Sequence, residues 1–307
     1  MALFSLRREA PAREGVTAEV QVFLQGSSIE VMPRTAEKIE SFRTILPKGT
    51  RVYIAHIDGT PIEDMVRTAK RLHAAGFPVM PHFPARIIPD RATLADWIAR
   101  YQGEADVRQA LLLGGGVNAP AGQFNASMQL IETGLFSKFD RLHVAGHPEG
   151  NRDIDKDGGD RIVMQALHWK QAFSERSDAK MAIVTQFCFE SDPVIAWADR
   201  LAAEGIHLPI HIGVAGPAKL QTLIKFAIAC GVGPSLRVLQ KRAMDVTKLL
   251  MPYEPTEFVA ALAAHKSKNP AFGIESAHFF PLGGITTNAT WVSEHGGASG
   301  VPAASQG

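Results

Sequence analysis

Apolar and polar positions alternate along this chain in a repeating two-part pattern. Eight short apolar runs span Ser28–Met32, Arg51–His56, Phe77–His82, Ala110–Gly115, Arg141–His147, Met181–Gln186, Pro209–Gly213 and His278–Leu282. Stretches with apolar residues at helical spacing separate most of them. Strand followed by helix, repeated eight times, predicts a single-domain (β/α)8 barrel. The run Met181–Gln186 is apolar until its last two residues, as suits a parallel strand buried on both faces. In such a barrel the C-terminal strand ends form the active site. Here those ends carry Glu30, His56, His82, the glycines Gly114, Gly115 and Gly116, His147-Pro148-Glu149, and Thr185-Gln186.

Helix signals agree with that alternation. Pro61-Ile62-Glu63-Asp64 opens a helix with proline and acids in its first turn, Met65, Ala69 and Leu72 follow on one face, and Gly76 closes it. Ser191-Asp192-Pro193 opens another that ends at Gly205, and Pro217 to Cys230 forms a third, stopped by Gly231. Helices over Leu236–Leu250 and Thr256–His265 leave one more than strict alternation needs, placed before the last strand. Residues 1–20 read as an irregular charged lead-in, 21–292 as the barrel, and 293–307 as a disordered tail of small polar residues.

Composition narrows the function. Net charge is +1, with 46% hydrophobic and 21% charged residues, which argues against a nucleic-acid or anionic-membrane partner. No run of 18 apolar residues could span a bilayer, and the first residues lack a secretory core, so a cytoplasmic location is expected. Cys188 and Cys230 suggest neither a disulfide framework nor a metal cluster.

Several local motifs need weighing. Gly114 to Gly116, with Ala119 three residues on, fits a dinucleotide fingerprint formally, but the next strand ends Val144-Ala145-Gly146 without the required acid. The triple glycine serves equally as a tight barrel turn or as a loop admitting a flat ring or a phosphate. Asp153-Ile-Asp155-Lys-Asp157-Gly158 imitates a calcium loop, but its twelfth position is Met164 rather than glutamate. His147 and Glu149 flank a proline without a second ligand pair, so no metal is expected. Glu30 lies inside an apolar strand, where burial is expected to raise its pKa toward that of a general acid. An exposed position on the first strand is the competing reading. Gln186 can both donate to and accept from the edge of an amide-like heterocycle. Lys170, on the helix before that strand, could reach a phosphate or simply lie on a solvated face.

From about residue 28 to 283 the chain resembles the methylenetetrahydrofolate reductase family of flavoprotein barrels. Ser28-Ile-Glu-Val-Met-Pro33 looks like the strand bearing the acid that protonates folate N10. Pro81-His82 matches a proline–histidine pair against flavin, and Asn125-Ala126-Ser127 the segment beside its phosphate and ribose. His147-Pro148-Glu149 matches a triplet after the fifth strand, and Leu167-His-Trp-Lys170 a helix giving a base to the diphosphate. Ile183-Val-Thr-Gln-Phe-Cys-Phe189 resembles Ile-Thr-Gln-Phe-Phe-Phe, whose glutamine binds the pterin. Phe226 falls where an aromatic stacks on the folate benzoyl ring, and His278-Phe-Phe-Pro-Leu282 resembles the closing strand.

The resemblance implies reduction of 5,10-methylenetetrahydrofolate to 5-methyltetrahydrofolate through FAD, with NADH or NADPH as donor, in a homo-oligomer. Glu30 would be catalytic, with Gln186 and Phe226 binding folate. His56, His82, Leu113, Gly114, Gly115, Gly116, Asn125, Ala126, Ser127, His147 and Lys170 would form the cofactor side. The chain departs from the pattern at Leu113-Gly114-Gly115-Gly116, where the family has Leu-Arg-Gly-Asp. It departs again at Gly146 in place of tyrosine and Gly284 in place of arginine. His56, Asp58 and Asn118 are candidates to supply the missing contacts. Direct hydride transfer without flavin, or a non-catalytic folate- or flavin-binding barrel, are the alternatives these departures raise.

Overall fold

A computed structural model describes residues 16–231, 236–240, 244 and 251–296. Eight parallel strands close into a barrel in sequence order: β1 (Ser28–Val31), β2 (Val52–Ile54), β3 (Val79–Pro84), β4 (Gln109–Leu113), β5 (Arg141–Gly146), β6 (Lys180–Cys188), β7 (Ile210–Ala215) and β8 (Ile274–Phe280). The expected (β/α)8 architecture is the observed one. β8 pairs with β1 to close it, with Ser28 opposite His278 and Ile29 opposite Phe279.

The helices are α1 (Ala18–Leu24), α2 (Pro33–Ala36), α3 (Ile62–Ala74), α4 (Arg91–Ala105), α5 (Ser127–Glu132), α6 (Arg161–Ser174), α7 (Ser191–Ala203), α8 (Leu220–Ala229), α9 (Thr256–Lys268) and α10 (Ile285–Glu294). Helix α3 shows why the local sequence works. Glu63 and Asp64 sit at its positive end, Arg71 and His73 at its negative end, and Met65, Val66, Ala69 and Leu72 are buried. Asp90 caps α4 by accepting from the Thr93 N–H at 2.7 Å. Asp155, of the motif that imitates a calcium loop, is buried and accepts from the N–H groups of Ile162 and Val163 at 2.8 and 3.0 Å. Its carboxylate therefore holds the start of α6.

Some boundaries differ from expectation. β8 begins at Ile274 rather than His278, so its N-terminal half, with exposed Glu275, was hidden by a mixed polarity pattern. Helix α8 starts at Leu220, because Ala218 is held in a bridge to Tyr253. Residues 236–240 are helical, while most of the expected helix over Leu236–Leu250 lies outside the described residues. Helix α1 straddles residue 20, expected as the start of the barrel, and α10 runs to Glu294, two residues past the expected end at 292. Residues 1–15 and 297–307 lie outside the described residues.

Two layers make the core. The larger lies between strands and helices and is apolar throughout, from Val31 and Ile54 to Leu262 and Trp291. Inside the barrel, where alternate strand residues point, Tyr53, Met80, Leu111 and Val184 form a small cluster. The rest of that interior is polar.

Candidate functional site

The site is assembled at the C-terminal ends of β1, β2, β6 and β8, with a wall from α8. An apolar cavity of about 480 Å³ opens there, lined among others by Glu30, Gln186, Phe187, Phe226, Phe280 and Leu282. That volume falls within the range of small-molecule sites, about 300–1,000 Å³. The three residues expected to contact folate therefore share one cavity. A second cavity, about 340 Å³, lies near the N-terminal ends of β1 and β2 and contains no expected site residue.

Among the described residues Glu30 is the only carboxylate lining the 480 Å³ cavity, and its side chain is 18% exposed. Its Oε2 stands 3.2 Å from His82 Nε2 and 3.7 Å from His278 Nε2. Burial alone would push its pKa up, as the sequence suggested. The structure reverses that expectation: the two imidazoles beside it, His82 and His278, outweigh burial and hold the carboxyl at about 2. Glu30 is thus ionised in the ligand-free barrel.

Gln186 is not at a strand end. β6 continues to Cys188, and its pairing with β7 shifts between Val184 and Phe187, so the glutamine sits on a bulge. Thr185 fixes that bulge, donating from Oγ1 to the Gln186 carbonyl at 2.8 Å and accepting from the Gly213 N–H at 2.8 Å. A Cβ on Gly213 would lie 2.3 Å from the Gln186 carbonyl oxygen, so glycine is what lets β7 approach. Phe226, half-buried on α8, forms another wall of the cavity.

The residues expected on the cofactor side lie on β2 to β6 connections and are largely occupied within the protein. His56 is buried, with Nε2 3.0 Å from the Thr60 carbonyl and its ring 4.8 Å from Trp97. His82 belongs with Glu30. Leu113 ends β4, and Gly114 accepts from the Arg86 N–H at 2.9 Å. Gly115 has φ +96°, a conformation that favours glycine, and Gly116 faces open space. The N–H groups of Asn125 and Ala126 both donate to Gln129 Oε1, at 2.6 and 3.0 Å, and Ser127 is buried at the start of α5.

His147 is half-buried, and burial with the nearby Lys170 charge lowers its pKa to about 4. Lys170 is 5% exposed and donates to the Ala145 carbonyl at 3.3 Å. Burial brings its pKa down to about 8. Its ammonium thus sits behind β5 rather than on a solvated face or toward an outer phosphate. At Gly146, a Cβ would lie 2.3 Å from Ile183 Cγ2 and 3.3 Å from Trp197, which is why no tyrosine stands there.

Sequence reasoning missed Arg86, His278, Tyr53, His143 and His211. Arg86 donates through Nε to Asn125 Oδ1 at 2.9 Å and through Nη1 to the Val117 carbonyl at 3.2 Å, bracing the glycine turn. The available signal for the histidines was polar residues at inward-facing positions of otherwise apolar strands. Among the described residues no three His, Cys, Asp or Glu side chains are placed to hold a metal ion, and no helix is long and apolar enough to cross a membrane.

As arranged, the groups assigned to a flavin diphosphate do not fit it. The Lys170 ammonium is buried, and the Asn125 and Ala126 amides are satisfied by Gln129.

No family model matches the sequence. Among solved structures, the fold is similar to that of a protein from Clostridium thermocellum that binds two copies of 5-methyl-5,6,7,8-tetrahydrofolic acid. The TM-score is 0.56 at 9% identity, covering 91% of this chain and 97% of that one. At that identity the likeness is one of fold.

Proposed function

We propose that this barrel binds a reduced folate in the 480 Å³ cavity and reduces 5,10-methylenetetrahydrofolate to 5-methyltetrahydrofolate, using a reduced nicotinamide. The observation that carries the reading is the convergence of Glu30, Gln186 and Phe226, each selected on sequence, on that one apolar cavity. Folate binding by a barrel of similar fold supports the substrate class.

In this reading the pterin edge bonds to Gln186 and the benzoyl ring packs on Phe226. Glu30 and its two histidines act as one proton-holding unit. Filling the cavity removes the remaining water from Glu30, which favours its neutral form and moves a histidine proton onto it. That proton passes to N10, the imidazolidine ring opens, and the one-carbon unit becomes a 5-iminium cation. A hydride delivered to its carbon completes the methyl group. One proton and one hydride are consumed for each nicotinamide oxidised.

Direct transfer from NADH or NADPH is the hydride route that Leu113-Gly114-Gly115-Gly116, in place of Leu-Arg-Gly-Asp, brings forward. FAD as carrier stays in the proposal as what the family resemblance implies. An anaerobic absorbance spectrum with NADH or NADPH and then methylenetetrahydrofolate tests both. Flavin bands that bleach and return establish the carrier. A colourless protein that oxidises nicotinamide only when the folate is present establishes direct transfer. Folate that binds without any turnover leaves a non-catalytic binding barrel.

A further inference from the structure

A barrel interior of this kind is usually filled with branched apolar side chains. Here one side of it is. Met80, Leu111 and Val184 fill the interior from β3, β4 and β6. The strands β1, β2, β5, β7 and β8 instead contribute Ser28, Tyr53, His143, His211 and His278, every one of them at most 6% exposed. Burying so many polar groups is costly unless they have partners, and these stand next to one another in a file.

At the upper end, Glu30 Oε2 lies 3.7 Å from His278 Nε2. The other nitrogen of that ring, Nδ1, is 2.9 Å from Ser28 Oγ. Tyr53 stands against the same imidazole, its ring 4.3 Å from that of His278, and its hydroxyl is 2.6 Å from His143 Nδ1. The His143 ring stands 4.8 Å from that of His211. His211 Nε2 is 3.9 Å from the carboxylate of Glu275, whose side chain is 64% exposed near the N-terminal end of β8. Where the file passes from His143 to His211, His143 Nε2 and His211 Nδ1 are both buried without a protein hydrogen-bond partner. A structural core would satisfy such atoms, whereas a proton path needs a free nitrogen on each side of the handover.

We propose that this file is a proton relay, resupplying the Glu30 unit from solvent at the opposite end of the barrel while substrate covers the mouth. The proposal rests on the reading of Glu30 as proton donor to the folate. Folate in the apolar cavity shuts the direct route, since Glu30 lines that cavity. When Glu30 has given its proton to N10, His278 Nε2–H replaces it. His278 Nδ1 takes the Ser28 proton, Ser28 takes that of Tyr53, and Tyr53 takes the one on His143 Nδ1. His143 recovers a proton at Nε2 from the His211 side, which draws on Glu275 and water. One proton enters below for each one delivered above, and no member of the file keeps a charge. Burial supports this, holding His143 well below the ordinary histidine range and His211 at about 3, so both are neutral carriers.

Tyr53→Phe removes one hydroxyl from the middle of the file and keeps the ring. Ser28→Ala breaks the same file one step higher, in case the first variant does not fold. With NADH or NADPH and methylenetetrahydrofolate, the relay requires kcat to fall at least tenfold in either variant, with unchanged folate Kd and a larger solvent deuterium isotope effect. A folded variant with wild-type kcat and isotope effect overturns the relay and leaves the role of Glu30 intact. Histidine nitrogen NMR without substrate separates the two ideas. If the file is continuous, Tyr53→Phe shifts His143 and His278 together. A change confined to His143 overturns it whatever the activity. Wild-type protein that binds folate and never turns over overturns the Glu30 reading, and the relay with it.

Discussion

On β1, β6, β8 and α8 the barrel mouth presents groups that line an open cavity. On β3, β4 and β5 the expected groups are held by the protein itself. Glu30, Gln186 and Phe226 line a ready cavity, while Lys170 is bonded to Ala145 and the Asn125 and Ala126 amides to Gln129. The first half has the marks of a preorganised site. The second has those of a scaffold. The same resemblance covered both halves, so sequence likeness alone did not distinguish a side chain that faces a ligand from one that braces a loop.

The largest expected effect comes from the half that is prepared for substrate. Glu30→Gln keeps shape and removes the proton, so kcat for folate reduction should fall about 10²- to 10⁴-fold, the usual worth of a general acid. Folate affinity, measured by titration calorimetry, should change far less. Equal loss of binding and turnover would make Glu30 a binding residue only.

Gly213→Ala comes next. The added methyl meets the Gln186 carbonyl at 2.3 Å, and overpacking of this kind costs about 1–3 kcal/mol. Urea unfolding should show that loss, and folate affinity should weaken with it because the bulge that aims Gln186 must move. Wild-type stability would mean that the two strands separate more easily than their hydrogen bonds suggest. Phe226→Ala should cost less. Losing a half-buried ring from the cavity wall is worth about 1–2 kcal/mol of folate binding, roughly 5- to 30-fold in Kd, with kcat at saturation unchanged.

The barrel itself was legible because its signal is repeated: eight apolar runs and the intervening helices set the strand order without any tertiary information. Glu30, Gln186 and Phe226 were legible because each departs from its surroundings, a charge in an apolar strand or a polar residue closing one. What lay hidden depended on which way a residue points and what stands beside it. Burial of Glu30 suggested a raised pKa, but His82 and His278 come from strands far away in sequence and reverse the sign. Lys170 reads as a surface lysine in any helical periodicity, and only the packing of α6 on β5 buries it. His143 and His211 sit in apolar runs where a single histidine draws no notice, and their pairing across the barrel is a product of closure.

Lys170 gives the smallest and most discriminating test of the second half. If it served a diphosphate, Lys170→Met would abolish binding of FAD or nicotinamide. If it is a buried brace, ligand affinities stay as they are. The amine's pKa of about 8 lies below the unfolded value of about 10.4, so the unfolded chain binds more protons between those values. Wild-type stability should therefore rise with pH across that window and gain nothing further above it. Below pH 8, the buried charge costs about 3 kcal/mol by that difference, offset in part by the hydrogen bond to Ala145, worth about 1.5–3 kcal/mol for a charged donor. Methionine removes both, so at pH 7 the variant should be about 1 kcal/mol more stable and its stability flat from pH 8 to 10. A Lys170→Met protein that keeps the wild-type rise would place the titrating group elsewhere, and one that loses nucleotide affinity would return Lys170 to the cofactor side.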